Sequence, residues 1–397
     1  MKPLPAQNLP LLKRQARQQL RAWLKTGAVV LMDGAMGTEL LRRYPVANGL
    51  GPAAGFPPSL AQPEQNSPAA GTSISGSATL PATNRSHEER LEPESEKRKP
   101  PMRANRVGAR PSHGTRGRCF SQTGECDPLP VASTNVGELL ASLTVCQPDW
   151  VHSVHRSYLR SGAQCLLANT FLARPRRPNM AGLRYFRQLN RLAIRLARET
   201  VVATGRPVPI LASIGPWPDA SAFSVEQCLA QWQAVCDADA VLLETQSSLA
   251  FLEAVLAGTV SGRPLPILLS FTFRRLGNRY VTWPEQHTPE QIASWANRQR
   301  GRIAVLGVNC GHGLTLADIT RIVRSFRRET DLPILVRPNA GTPQQRHSRC
   351  IYPLQPEDFA AALPEWLEAG ARWLGGCCGT TPRHIAAMRR ALRQHKA

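Results

Sequence analysis

Cys377 and Cys378 stand side by side in Gly375-Gly376-Cys377-Cys378-Gly379-Thr380-Thr381-Pro382, and Cys310 closes the run Gly307-Val308-Asn309-Cys310. Adjacent cysteines reach the Cα separation of a disulfide only with strain, so the pair does not read as a bridge. Vicinal thiols in a glycine-rich turn suit an agent that takes both sulfurs at once, and zinc is the commonest. Three thiolates leave one position of a tetrahedral ion open, the pattern of a catalytic rather than a structural site. Cys350 and His312 are rival occupants of that position. Cys165, Cys228 and Cys236 read as ordinary buried thiols, and Cys119 and Cys126 fall in a low-complexity stretch.

An open position on zinc supports two chemistries. A thiol substrate bound there loses its proton and becomes a nucleophile at a fixed point, whereas a free thiol is only a few per cent ionised near neutral pH. A bound water would instead serve hydrolysis and would need a base, for which Asp33 and Glu244 are placed. The same two carboxylates suit the ammonium of an amino acid. The residues alone leave thiol alkylation and hydrolysis open.

The elements that must position these groups alternate along the chain. Short apolar runs occur at 28–32, 164–168, 208–212, 240–243, 266–270, 304–308, 333–336 and 372–374. Amphipathic stretches lie between them at 148–162, 181–203, 225–238, 248–258, 289–300, 314–329, 356–369 and 382–394. Ser224 to Gln227 and Thr288 to Gln291 read as capping boxes, the second with Pro289 at the first helical position. Eight strand–helix units with continuous apolar strands predict an α/β fold, a (β/α)8 TIM barrel, rather than a doubly wound sheet, for which Asp33 to Gly37 is a poor phosphate loop. In such a barrel the strand C-termini carry the chemistry. Those ends deliver Asp33-Gly34, Asn169-Thr170, Ser213, Glu244-Thr245, Asn309-Cys310, Arg337-Pro338-Asn339 and Cys377-Cys378 to one face.

Residues 44–132 break the pattern. They are rich in Pro, Gly, Ser and Asn and cannot bury enough surface to offset chain entropy, so they read as a disordered insertion in the β1–α1 loop. The expected division is 1–43 (an N-terminal helix and the first strand), 44–132 (the insertion) and 133–397 (the rest of the barrel). The formal charge of +21 invites nucleic acid as a partner, but only six of the 49 basic residues are lysine, and the arginines punctuate helix faces. No basic–aromatic run or zinc-finger spacing accompanies them, so nucleic acid is not the expected partner. Ten cysteines with no signal peptide and no membrane-length apolar run predict a reduced, cytoplasmic protein.

Leu31-Met32-Asp33-Gly34-Ala35-Met36-Gly37-Thr38-Glu39-Leu40, Ala168-Asn169-Thr170-Phe171, Gly307 to Cys310 and Gly375 to Pro382 together resemble the homocysteine S-methyltransferase family, over about 28–41 and 134–394. The resemblance implies a zinc-dependent barrel that methylates L-homocysteine to methionine. It implies Cys310, Cys377 and Cys378 as ligands of Zn2+, with Asp33, Gly34, Thr170 and Glu244 around the substrate's amino and carboxylate groups and Asn309 supporting the sixth strand end. Glu244-Thr245-Gln246 looks more like the homocysteine module of cobalamin-dependent methionine synthase than the S-methylmethionine type. The implied donors are S-methylmethionine, a methyl-corrinoid on a separate corrinoid- or folate-binding protein, or betaine. Betaine is disfavoured because Thr245 offers no aromatic ring to a quaternary ammonium. The competing readings are a non-catalytic barrel that binds partners through its basic insertion, and a zinc hydrolase.

Overall fold

The computed structural model describes residues 9–44, 136–174, 180–217, 220–259, 265–311, 313–346 and 349–395. Eight parallel strands form one curled sheet: β1 (Val30–Leu31), β2 (Leu166–Leu167), β3 (Ile210–Ile214), β4 (Ala240–Gln246), β5 (Ile267–Phe271), β8 (Ile303–Cys310), β9 (Ile334–Pro338) and β12 (Ala371–Leu374). Their order is β1-β12-β9-β8-β5-β4-β3-β2. The ends of this series meet through hydrogen bonds rather than a full ladder. Gln164 N–H donates to Leu31 O at 2.7 Å, Leu31 N–H to Gln164 Oε1 at 2.8 Å and Leu167 N–H to Asp33 Oδ2 at 2.8 Å. These three bonds seal the (β/α)8 barrel.

Alternation along each strand sorts the side chains into two layers. Val30, Met32, Leu167, Leu211, Leu242, Leu268, Val305, Leu335 and Trp373 form the barrel interior. The intervening residues, such as Leu31, Ile210, Val241 and Leu306, pack outward into the sheet–helix layer. Helix α1 (Leu9–Thr26) adds Leu20 and Trp23 to the interior cluster, with Trp23 edge-on to Trp373.

The outer helices are α4 (Pro148–Ser161), α5 (Met180–Val202), α6 (Ala222–Ala234), α7 (Leu249–Gly258), α8 (Pro289–Arg298), α9 (Leu316–Glu329), α10 (Pro356–Glu368) and α11 (Pro382–His395). Thr288 forms the expected capping box with Gln291. Ser224 does not cap: α6 begins earlier, and Ser221 Oγ accepts from the Ser224 N–H. A second box, Thr315 with Asp318, opens α9.

Besides α1, two helices and two hairpins lie outside the eight repeats. Helices α2 (Met36–Arg43) and α3 (Val136–Cys146) flank the low-complexity segment, and hairpins β6–β7 (Arg274–Leu276, Arg279–Val281) and β10–β11 (Gln344–Arg346, Arg349–Ile351) follow β5 and β9. The expected insertion 44–132 lies outside the described residues except for Tyr44. It does not leave the first strand end directly, because α2 intervenes with Glu39 and Leu40 buried. Tyr44, the last described residue before the gap, stacks on Trp150 at 4.0 Å between ring centroids.

Candidate active site

The glycine-rich run after β12 is clamped to the first strand's end. Gly376 N–H donates to Asp33 O, Cys377 N–H to Pro338 O at 2.8 Å, and Ala340 N–H to Cys378 O at 2.9 Å. Thr380 Oγ1 donates to Cys377 O at 2.7 Å and accepts from Ala35 N–H, while Thr38 Oγ1 accepts from Gly379 N–H. The two threonine-bearing motifs, more than 300 residues apart in sequence, are thus each other's latch. Gly34 is required at this joint because a Cβ there would stand 2.7 Å from Thr380 Oγ1 and 2.9 Å from the Tyr158 hydroxyl.

This clamp and the end of β8 bring three sulfurs together. Cys310 Sγ lies 3.1 Å from Cys377 Sγ and 3.7 Å from Cys378 Sγ, and the last pair is 4.0 Å apart. All three side chains are partly exposed, and they form the one group of metal-ligating type found among the described residues. Zinc–thiolate bonds of about 2.3 Å in tetrahedral geometry set sulfur separations near 3.8 Å; the 3.7 and 4.0 Å pairs match this, and Cys310 and Cys377, at 3.1 Å, would part by a fraction of an ångström to hold the ion. Hydrogen bonds from Cys310 and Cys378, with help from Arg337 and Asn309, hold the Cys377 thiol well below its usual range. The same contacts push Cys310 up. Of the rivals for a fourth position, Cys350 is exposed on β11 rather than in a loop, and His312 lies outside the described residues.

Beneath the sulfurs lie buried polar groups. Glu244 accepts from Ser213 Oγ through Oε1 and from Arg337 Nη1 through Oε2, the latter at 2.6 Å. Asp33 uses Oδ2 for the barrel seam and leaves Oδ1 buried without a partner. Burial pushes the Asp33 carboxyl up to about 7, against the pull of Arg337. Burial also raises Glu244, again opposed by Arg337. Thr170 does not aim its hydroxyl into open space. It donates to Ser213 O at 2.7 Å and accepts from Ser213 N–H at 2.9 Å, tying β2 to β3. Asn309 accepts from Thr245 N–H and Ser270 Oγ, donates to Thr245 Oγ1, and points its amide at Cys377 Sγ from 3.7 Å.

Two neighbours of this network hold left-handed backbone, Thr245 at φ 61° and Cys310 at φ 56°. Such values are uncommon outside glycine, most of all for a β-branched residue, and they cluster at functional sites. Sequence reasoning placed Arg337 at a strand end without giving it a role. Its signal was an arginine within an otherwise apolar strand, where an unpaired charge is untenable. An open groove of about 470 Å³ lined by Leu249, His287, Glu290, Trp295 and Arg298 contains none of these residues.

A parallel barrel with three thiols clustered at its strand C-termini beside buried carboxylates offers a donor set of metal-ligating type. The homocysteine S-methyltransferase family profile matches residues 118–392, and the chain belongs to that family of methyltransferases. It is 29% identical to the homocysteine S-methyltransferase of Escherichia coli K12 over 279 residues, which is 63% of this chain and 86% of that protein. It is 28% identical over 274 residues to the methionine synthase of Mycobacterium tuberculosis. The match spans 63% of this chain but only 22% of the methionine synthase's length. In three dimensions it resembles the crystal structure of the homocysteine methyltransferase MmuM from E. coli in its metallated form, with a TM-score of 0.52 at 23% identity over 64% of this chain and 88% of that one. That likeness supports the barrel fold.

Proposed function

We propose that this chain transfers a methyl group to the sulfur of L-homocysteine, giving methionine, with zinc held by Cys310, Cys377 and Cys378. The observation that carries this reading is the set of three sulfur spacings, 3.1, 3.7 and 4.0 Å, directly above a buried Asp33–Glu244–Arg337 group. Zinc at this donor set would supply one thing, the deprotonation of a thiol at neutral pH. The chain's own residues do the rest. Asp33 Oδ1, buried and unpartnered, accepts the substrate ammonium, with Glu244 beside it. Gly34 keeps the wall there free of a side chain, Thr170 fixes the β2–β3 mouth, and Asn309 holds the turn that presents Cys310 and Thr245. Catalysis is then positioning of a nucleophilic sulfur in line with a methyl group, and no general base is required.

The donor is a small methyl-sulfonium compound of the S-methylmethionine type or a methyl-corrinoid on a partner protein, with betaine disfavoured. No helix among the described residues is long and apolar enough to cross a membrane. The test is methionine formation by purified protein supplied with zinc, L-homocysteine and, separately, S-methylmethionine, betaine or a methyl-corrinoid protein. One zinc per chain is expected, and Cys377→Ser should lose zinc together with at least about a hundredfold in methyl transfer. A Cys377→Ser protein that kept both would refute the assignment. Ester hydrolysis in the absence of homocysteine would point to the hydrolase instead, and a zinc-loaded chain inert with every donor would point to the non-catalytic barrel.

A further inference from the structure

Arg337 is an unusual occupant of a barrel interior. It leaves β9 yet reaches Glu244 on β4, three places away in the sheet order, so its side chain spans the mouth of the barrel. Only 2% of it is exposed. Nη1 grips Glu244 Oε2 while Ser213 takes the opposite oxygen, so Glu244 is held from both sides. Arg337 Nε is buried with no partner, as is Asp33 Oδ1. Burying charge is costly, and apolar replacements of buried ion pairs are often neutral or stabilising, so stability alone is a poor reason for this arginine. With both carboxylates ionised, two against one guanidinium leave one net negative charge; a single bound ammonium would balance it, and its binding would favour that ionised state.

Resting on the homocysteine reading above, we infer that Arg337 is a positioning residue that fixes Glu244 beside Asp33 and thereby makes the site select thiols carrying an α-ammonium group. The arginine does not touch the reacting sulfur or the methyl group. Its effect on substrate choice runs through Glu244 at the amino end, whereas its pull on the Cys377 thiol is common to any thiol bound there. Lysine cannot replace it fully, since a point charge lacks the planar fork that meets one carboxylate while facing a second.

The test compares binding of L-homocysteine and of 4-mercaptobutanoate, the same thiol without its amine, to the zinc-loaded full chain by calorimetry. The wild type should prefer homocysteine. Arg337→Met should cut that preference by about ten- to a hundredfold, the span of one charge-assisted hydrogen bond, and Arg337→Lys by less. Zinc content should stay at one per chain, and Glu244→Gln should cost no more on top of Arg337→Met than it costs alone. A purely structural role would weaken both thiols equally. An unchanged preference in Arg337→Met overturns the inference, and if that variant does not fold, an unchanged preference in Arg337→Gln does so. A wild type with no preference for homocysteine would instead overturn the homocysteine reading itself.

Discussion

Asn309 makes one primary amide serve four groups on three neighbouring residues. Its oxygen accepts from Thr245 N–H at 2.9 Å and Ser270 Oγ at 2.6 Å, and its nitrogen donates to Thr245 Oγ1 at 2.7 Å and faces Cys377 Sγ. Thr245 sits at φ 61°, a conformation costing about 1–3 kcal/mol for a β-branched residue, and these bonds are what hold it there. Asn309→Ala would leave the buried Thr245 N–H and Ser270 hydroxyl unpaired. A loss of about 2–4 kcal/mol in urea unfolding is expected, and a change under about 0.5 kcal/mol would show the network to be dispensable. Asn309 was legible in the sequence as a strand-end residue beside a cysteine. Its dependence on Thr245 was not, because the partner lies 64 residues away and nothing local to Glu244-Thr245-Gln246 announces a left-handed turn. Arg337 was hidden for the same reason, since its meaning comes from β4, 93 residues distant.

At the scale of elements, α1 closes the barrel's far end by apolar packing and by charge. Arg17 Nε donates to Asp239 Oδ1 at 3.0 Å and Arg198 Nη1 to Oδ2 at 2.8 Å, while Ile210 N–H also uses Oδ2. One buried carboxylate therefore joins α1, α5 and the start of β3 at the edge of β4. Asp239→Ala strands the buried Arg198 and should cost about 3–5 kcal/mol, the penalty of an uncompensated buried charge. An Asp239→Ala protein melting within a degree or two of wild type would show that α1 and α5 need no such joint. The eight barrel strands and their helices were readable from periodicity to within a few residues, because each buries a continuous or amphipathic face. The hairpins after β5 and β9 were not. Their strands are three residues long, largely exposed around Arg275–Arg279, and carry no alternation to detect. Cys236 was misjudged for a related reason: α6 ends at Ala234, so Cys236 falls in the following turn and is exposed rather than buried.

For the molecule as a whole, two buried titratable groups pull stability in opposite directions over one pH range. His155 on α4 is fully buried with both ring nitrogens unpartnered, and burial lowers it to about 3. Since the unfolded imidazole titrates near 6.5, the unfolded chain binds the extra proton between about pH 3 and 6.5, and stability falls as the pH drops through that window. Asp33 has the reverse sign. Burial raises it to about 7 from an ordinary value of 3.8, so the folded chain binds the extra proton, and stability falls as the pH rises from about 4 to about 7. Each slope approaches 1.4 kcal/mol per pH unit at full weight, and between about pH 4.5 and 6 the two largely cancel. The contributions of these two groups to the zinc-free wild type should therefore largely offset each other there. His155→Leu removes the first slope and should lose stability as the pH rises, whereas Asp33→Asn removes the second and should gain it. Urea unfolding of the three proteins at pH 4.5, 5.25 and 6 measures this directly. Parallel profiles for all three would mean that neither group titrates as its burial demands, whereas slopes of opposite sign would show that the Asp33 carboxyl, on which the proposed ammonium seat depends, is held in the interior at a standing cost to the fold.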